Sequence, residues 1–183
     1  MFSSLSRWLL NTWGWKVTGR YPYEVPKLVI CVAPHTSNWD FPVGVLVNSG
    51  QRLNANYVGK SSLFRWPLGY FMRWLGGVPV ERSKPGSNFV AATVEAFARE
   101  PRLHLVIAPE GTRNKVDRFK TGFYHIARLA EVPIVLCTFN WQTRTVHFDE
   151  NLFYPSGNEQ KDMEYLWHYY KGVPGYVPSK GVH

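Results

Sequence analysis

Lys27-Leu-Val-Ile-Cys-Val-Ala-Pro-His35-Thr-Ser-Asn-Trp-Asp40 joins two kinds of sequence. The first half, Lys27 to Ala33, is a continuous apolar run, the pattern of a strand buried on both faces. The second half is small and polar, and it carries a histidine and a carboxylate five positions apart across a chain reversal. A strand that ends this way releases a candidate base, His35, beside a candidate orienting acid, Asp40. Pro42 limits where the next helix can begin, because its missing N–H must be one of the unpaired first-turn donors. A start with Trp39 or Asp40 as N-cap meets that condition and carries the helix to about Asn48.

Downstream, strands and helices alternate. Asn56 to Gly59 reads as a short strand, Ser61 to Leu75 as an aromatic-rich helix stopped by Gly76-Gly77, and Val78-Pro79-Val80 as a third strand. A polar turn, Glu81 to Ser87, leads to Phe89 to Arg99, whose apolar residues recur at helical spacing before Pro101. Leu103 to Ala108 is a strand, Pro109 to Lys120 a loop and Gly122 to Ala130 a helix. Pro133 to Phe139 is a near-continuous apolar strand, Thr143 to Phe148 alternates like an edge strand, and Lys161 to Lys171 is a last helix. This alternation predicts a single α/β domain around a central, largely parallel or mixed sheet flanked by helices. It divides the chain into an amphipathic N-terminal segment over 1–20, the body over 21–171, and a Gly/Pro-rich tail over 172–183 expected to be loose.

Composition narrows the function. At 183 residues the chain can bury one full core. Its net charge of +8 suits nucleic acid, anionic lipid or phosphorylated substrates without choosing among them. The 8 tryptophans are more than core packing alone accounts for. Cys31 and Cys137 each sit in an apolar strand and read as core residues of a reduced compartment. The remaining histidines, His104, His125, His147, His168 and His183, show no metal-ligand spacing, so neither a metal nor a cofactor is expected. No apolar stretch approaches the roughly 18 to 20 residues of a spanning helix, and Met1 to Gly19 does not read as a secretory signal.

Two stretches keep two readings open. Phe2, Leu5, Trp8, Leu9 and Trp13 fall at helical spacing, either to cover the core or to lie at a membrane interface with Trp at headgroup depth. In Lys60 to Leu75, the residues Leu63, Phe64, Trp66, Phe71, Trp74 and Leu75 mix with Lys60, Arg65 and Arg73. Core packing is one reading. The other is monotopic attachment, one flank in the headgroup region and the other beside an acyl chain.

Functional loops of such sheets lie at the carboxyl ends of strands. Beside the His35 loop, a second loop in that position is Pro109-Glu110-Gly111-Thr112-Arg113. Gly for close backbone approach, a hydroxyl and an Arg fork suit a phosphate or carboxylate. Lys120-Thr121-Gly122 then opens a helix whose free N–H groups add to an anion site, and Arg82 is a further candidate. Glu110 beside an anion suits orienting Arg113 better than binding the anion. Gly59-Lys60-Ser61 is a near miss to a P-loop, because Asn54 stands where glycine is needed.

These residues carry a family resemblance. His35-Thr-Ser-Asn-Trp-Asp40 fits the histidine, four residues, aspartate motif of the glycerolipid acyltransferases. Glu110-Gly-Thr-Arg113 is similar to their phosphate-binding motif, Gly77-Val-Pro-Val-Glu-Arg82 to the intervening motif, and Val132-Pro-Ile-Val135 to the fourth. All four stand in the expected order between about Val29 and Leu136. The group most resembled is the 1-acyl-sn-glycerol-3-phosphate acyltransferases. Glu81 replaces the common aspartate, Asn114 a serine and Leu136 a second proline.

The resemblance implies transfer of a fatty acyl group from acyl-CoA or an acyl carrier protein to the free hydroxyl of a lysophospholipid acceptor. For 1-acyl-glycerol-3-phosphate the product is phosphatidic acid. His35 would be the base and Asp40 its orienting partner, while Arg82, Glu110, Gly111, Thr112, Arg113 and Lys120 would position the phosphate. Such an enzyme would sit on the cytoplasmic face of a membrane and would bind no nucleic acid. Another lysolipid or hydroxyl-bearing lipid as acceptor, or a non-catalytic basic and aromatic lipid-binding module, are the alternative readings.

Overall fold

Strand β2 (Lys27–Ala33) occupies the middle of the sheet, as its apolar run requires. The structure, a computed structural model, describes residues 2–60, 65–74, 76–80 and 89–183. In chain order the elements are α1 (Phe2–Thr12), β1 (Lys16–Gly19), β2, α2 (Asp40–Gln51), β3 (Asn56–Lys60), α3 (Leu68–Trp74) and β4 (Gly77–Val80). Then come α4 (Phe89–Arg99), β5 (Leu103–Ile107), α5 (Gly122–Leu129), β6 (Ile134–Asn140), β7 (Thr145–Phe148) and α6 (Glu159–Tyr170). The strands form one seven-stranded sheet of order β1-β7-β6-β2-β5-β3-β4. Among the described strands the β6–β7 pairing is antiparallel and the others are parallel, so the sheet is mixed and mostly parallel.

Alternation along the strands divides the core in two. Val29, Cys31 and Ala33 of β2, with Ile134 and Leu136 of β6, face Phe97 of α4, Phe123 and Ile126 of α5, and Leu166 and Tyr170 of α6. Leu28 and Ile30, with Val135, Cys137 and Phe139, face Leu10 of α1 and Val43 and Val47 of α2. Each fully buried aliphatic side chain stabilises the fold by about 1.5–3 kcal/mol, so both faces of β2 commit the chain to this layering. Cys31 and Cys137 are free thiols in opposite layers, as the apolar setting of each suggested. Burial pushes both thiols up, which suits inert core residues.

Two expectations change. Thr145–Phe148 is not an edge strand, because β1, which lay unrecognised within the N-terminal segment, pairs with it in parallel outside it. Four residues ending in a glycine are too short to show a period. The tail over 172–183 is not loose. Gly172 N–H donates to Val182 O at 2.9 Å, Trp141 N–H to Pro174 O at 2.8 Å, and Val182 is buried. Of the helix expected over Ser61 to Leu75, Leu68–Trp74 is helical, while Ser61 to Phe64 and Leu75 lie outside the described residues.

Candidate active site

Three adjacent parallel strands, β6, β2 and β5, end on the same side of the sheet. β2 pairs with β5 through Cys31↔Ile107 and with β6 through Ala33↔Thr138. The chain after β2 delivers His35 and Asp40, the chain after β5 delivers Glu110, and the chain after β6 delivers Trp141. This is where open α/β sheets place their ligands.

The His35 loop closes on one carboxylate. His35 Nδ1 lies 2.9 Å from Asp40 Oδ2. The backbone N–H groups of Thr36 and Ser37 donate to the same oxygen at 3.0 and 2.9 Å. Trp141 Nε1–H donates to the other oxygen, Oδ1, at 2.7 Å. Asp40 is 5% exposed and accepts every one of these bonds, so it acts as the hub that folds the loop. An ionised carboxylate only accepts, so the neutral imidazole facing it carries its proton on Nδ1 and leaves Nε2 as an acceptor. The His35 side chain is 25% exposed, enough for a substrate atom to reach it. Asp40 is also the first residue of α2, with Trp39 as the cap position and no side-chain cap. Pro42 falls in the first turn, where its missing N–H leaves no bond unmade.

Glu110 is placed differently from the sequence reading. Its side chain turns inward, and Oε1 accepts the backbone N–H of His35 at 2.8 Å instead of meeting Arg113. The carboxyl is 3% exposed and its buried Oε2 has no hydrogen-bond partner among the described residues. Burial pushes the Glu110 carboxyl up, opposed by the His35 N–H that favours the charged form. It braces one functional loop against the other.

The loop after β5 is shut at its base by Lys120 N–H donating to Pro109 O at 2.8 Å, with Phe119 buried as an anchor. Gly111 takes a left-handed φ of +63°, and a Cβ there would come within 2.9 Å of Lys120 Cδ. Glycine thus lets the lysine stem lie across the loop. Thr112 Oγ1 accepts the Asn114 N–H at 3.3 Å, Arg113 and Lys120 are exposed, and α5 begins at Gly122 beside them. Glu110, Gly111 and Lys120 are brought together, with Thr112 and Arg113 at the rim. Arg82 lies outside the described residues.

Sequence reasoning missed the far flank of His35. There Trp13, Trp39, Trp141, Arg144 and Tyr176 line an open cleft of about 840 Å³. Trp15 packs edge-on against Trp141 at 4.8 Å, and so does Tyr176. The tail seals the loop from the same side, with Val177 N–H donating to Thr36 Oγ1 at 3.2 Å. A Cβ on Gly175 would come within 2.6 Å of that hydroxyl oxygen, so only glycine fits. No local pattern announces these contacts, since Trp141–Asp40 and Val177–Thr36 each join residues more than a hundred positions apart.

The family model named Acyltransferase matches residues 15–140. The chain belongs to the acyltransferase family. It is 31% identical over 141 residues to the 1-acyl-sn-glycerol-3-phosphate acyltransferase of Salmonella typhimurium, covering 72% of this chain and 56% of that protein. The Haemophilus influenzae protein of the same name is 28% identical over 141 residues, covering 72% of this chain and 58% of that one. The chain thus spans little more than half the length of these curated relatives. The fold matches the crystal structure of the 1-acyl-sn-glycerophosphate (LPA) acyltransferase PlsC from Thermotoga maritima, with a TM-score of 0.60 and 21% identity. That match covers 92% of this chain and 74% of the other.

Proposed function

We propose that the chain transfers a fatty acyl group from an acyl thioester, acyl-CoA or acyl carrier protein, to the free hydroxyl of 1-acyl-glycerol-3-phosphate, producing phosphatidic acid. The observation that carries this reading is the His35–Asp40 pair, 2.9 Å apart, at a strand end beside the Glu110–Arg113 loop. Asp40 holds Nδ1–H, so Nε2 takes the proton of the acceptor hydroxyl as its oxygen attacks the thioester carbonyl. The new C–O bond forms, the C–S bond breaks, and the leaving sulfur takes the proton from His35. The sequence carries no Gly-x-Ser-x-Gly elbow and both thiols are buried, which favours direct attack over an acyl-enzyme. Gly111, Thr112, Arg113 and Lys120 position the phosphate, and Arg82 adds a further guanidinium. Glu110 acts by holding the His35 backbone.

The reading includes monotopic attachment to a membrane, where the acceptor lipid resides. Helix α1 sends Leu10 into the core but leaves most of its apolar side outside. Its small residues Ser3 and Ser6 face α2, with Ser6 Oγ donating to Ser49 Oγ at 3.0 Å, while Phe2, Leu5, Trp8 and Leu9 are exposed. Phe2 meets Trp74 of α3 edge-on at 6.2 Å, and Trp74 stacks on Phe71 at 5.9 Å. With Trp66 and Tyr70 also exposed, the two helices present one aromatic surface, and Arg7 and Arg65 are exposed near its members in the chain. An exposed aromatic surface with basic residues beside it matches interfacial insertion. Among the described residues no helix is long and apolar enough to cross a membrane.

The test is consumption of an acyl thioester with lysophosphatidic acid, comparing the natural sequence with His35→Ala. Loss of about 10²–10⁴-fold in turnover is expected for removal of a general base. Activity unchanged by the substitution overturns the base assignment. Vesicle binding without turnover on any lysolipid overturns the enzyme reading in favour of a lipid-binding module.

A further inference from the structure

We infer that Trp141 is a positioning residue for the reaction, holding the Asp40 carboxylate in the one orientation that presents Oδ2 to His35. The inference rests on the acyltransferase reading above and adds a residue that the histidine–aspartate motif does not contain. Asp40 has two oxygens with separate duties. Oδ2 takes His35 Nδ1 and the Thr36 and Ser37 N–H groups, whereas Oδ1 has one side-chain donor among the described residues, Trp141 Nε1–H at 2.7 Å. The carboxylate sits at the first residue of α2 and is nearly buried. Without the indole donor, Oδ1 would lose the bond that fixes it, and rotation about the Cβ–Cγ bond would exchange the two oxygens.

Trp141 is itself rigidly held, as a positioning residue must be. It follows β6 directly, and its backbone N–H donates to Pro174 O at 2.8 Å. Trp15 and Tyr176 each pack edge-on against its indole at 4.8 Å, and Trp13 does so at 6.4 Å. The indole therefore transmits the rigidity of the third central strand and of the docked tail to the base. Trp15 supplies an internal comparison. It belongs to the same cluster and is buried, yet its Nε1 has no hydrogen-bond partner among the described residues.

Trp141→Phe keeps most of the packing and deletes the donor. Its expected effect is a fall in kcat of about 10- to 100-fold, with the KM for lysolipid and for thioester unchanged, the size of losing a charge-assisted bond that orients a base. Trp15→Phe, which perturbs the same cluster, is expected to lower thermal stability at least as much while leaving kcat within about twofold of the natural sequence. In protein labelled with ¹⁵N-histidine, the neutral His35 ring is expected to carry its proton on Nδ1, and Trp141→Phe to mix in the Nε2–H tautomer. Where Trp141→Phe does not fold, the natural protein decides. Its Trp141 indole proton is expected far downfield and shifted upfield in Asp40→Asn. Equal kcat losses in Trp141→Phe and Trp15→Phe, an unmoved His35 tautomer, or an indole proton indifferent to Asp40→Asn would overturn the inference. Absence of turnover by the natural sequence on every lysolipid defeats the acyltransferase reading instead, and the nuclear resonance readouts still judge the Trp141 contact.

Discussion

The backbone N–H of His35 donates to Glu110 Oε1 across 2.8 Å, tying the loop after β2 to the loop after β5. The Glu110 carboxyl thus fixes the main chain at His35 and braces the two loops against each other. Glu110→Ala leaves the His35 N–H without its acceptor in a buried place, which costs about 1–3 kcal/mol. Urea unfolding should report that loss together with reduced kcat. Full activity at lowered stability would show that the bond serves the fold alone.

The same carboxyl has a pH signature. Burial raises its folded pKa above the unfolded value, so between the two the folded protein binds more protons than the unfolded one. Its contribution to stability is complete below the ordinary glutamate range and declines as pH rises through the folded pKa. Glu110→Gln keeps an oxygen for the His35 N–H and removes the titration. The expected outcome is a flatter stability–pH curve on the alkaline side of about pH 4.5 in the variant.

Asp40→Asn should be far more damaging than its size suggests. Every hydrogen bond to Asp40 arrives from a donor, Thr36 N–H, Ser37 N–H, His35 Nδ1–H or Trp141 Nε1–H. An amide must point its NH₂ at one of these sets. Turnover should fall by about 10²–10⁴-fold, with partial unfolding of the loop detectable as faster amide exchange at Thr36 and Ser37.

His104 contributes to the loss of stability on the acid side. It is buried at the opposite end of β5, with Nδ1 2.5 Å from the Tyr21 hydroxyl and Nε2 2.8 Å from Val25 O. Burial lowers its folded pKa, so the unfolded chain binds the extra proton and stability falls as pH drops below about 6.5 toward the folded value. Thermal unfolding followed from pH 7.5 to 5 should show that decline, and a His104→Gln variant should lose this part of the slope.

The aromatic surface of α1 and α3 predicts a separation of binding from folding. Trp8, Trp66 and Trp74 are all well exposed, so replacing them with serine should leave thermal stability within about 0.5 kcal/mol. Co-sedimentation with anionic vesicles should drop sharply. Unchanged sedimentation would place the membrane contact elsewhere.

Element types were legible because they depend on neighbours in the chain. The apolar run Lys27–Ala33 could only be a central strand, the period of Phe89–Arg99 only a helix, and both have those bounds in the structure. His35 and Asp40, five positions apart on one loop, could be paired from sequence for the same reason, since a short loop leaves their side chains few places to go. Orientation and long-range contact were not legible. The spacing of Phe2, Leu5 and Trp8 fits a core-covering face and an interfacial one equally, and only the fold decides: Ser3 and Ser6 pack on α2 and the aromatics turn outward, because small residues let two helices approach more closely. Glu110 was matched to Arg113 along the chain, yet pairing of β5 with β2 puts the His35 amide nearer. Trp141 gave no signal at all beside Asp40. Strand order alone sets which strand ends become neighbours, and that order brings the indole of one strand end to the carboxylate of the next.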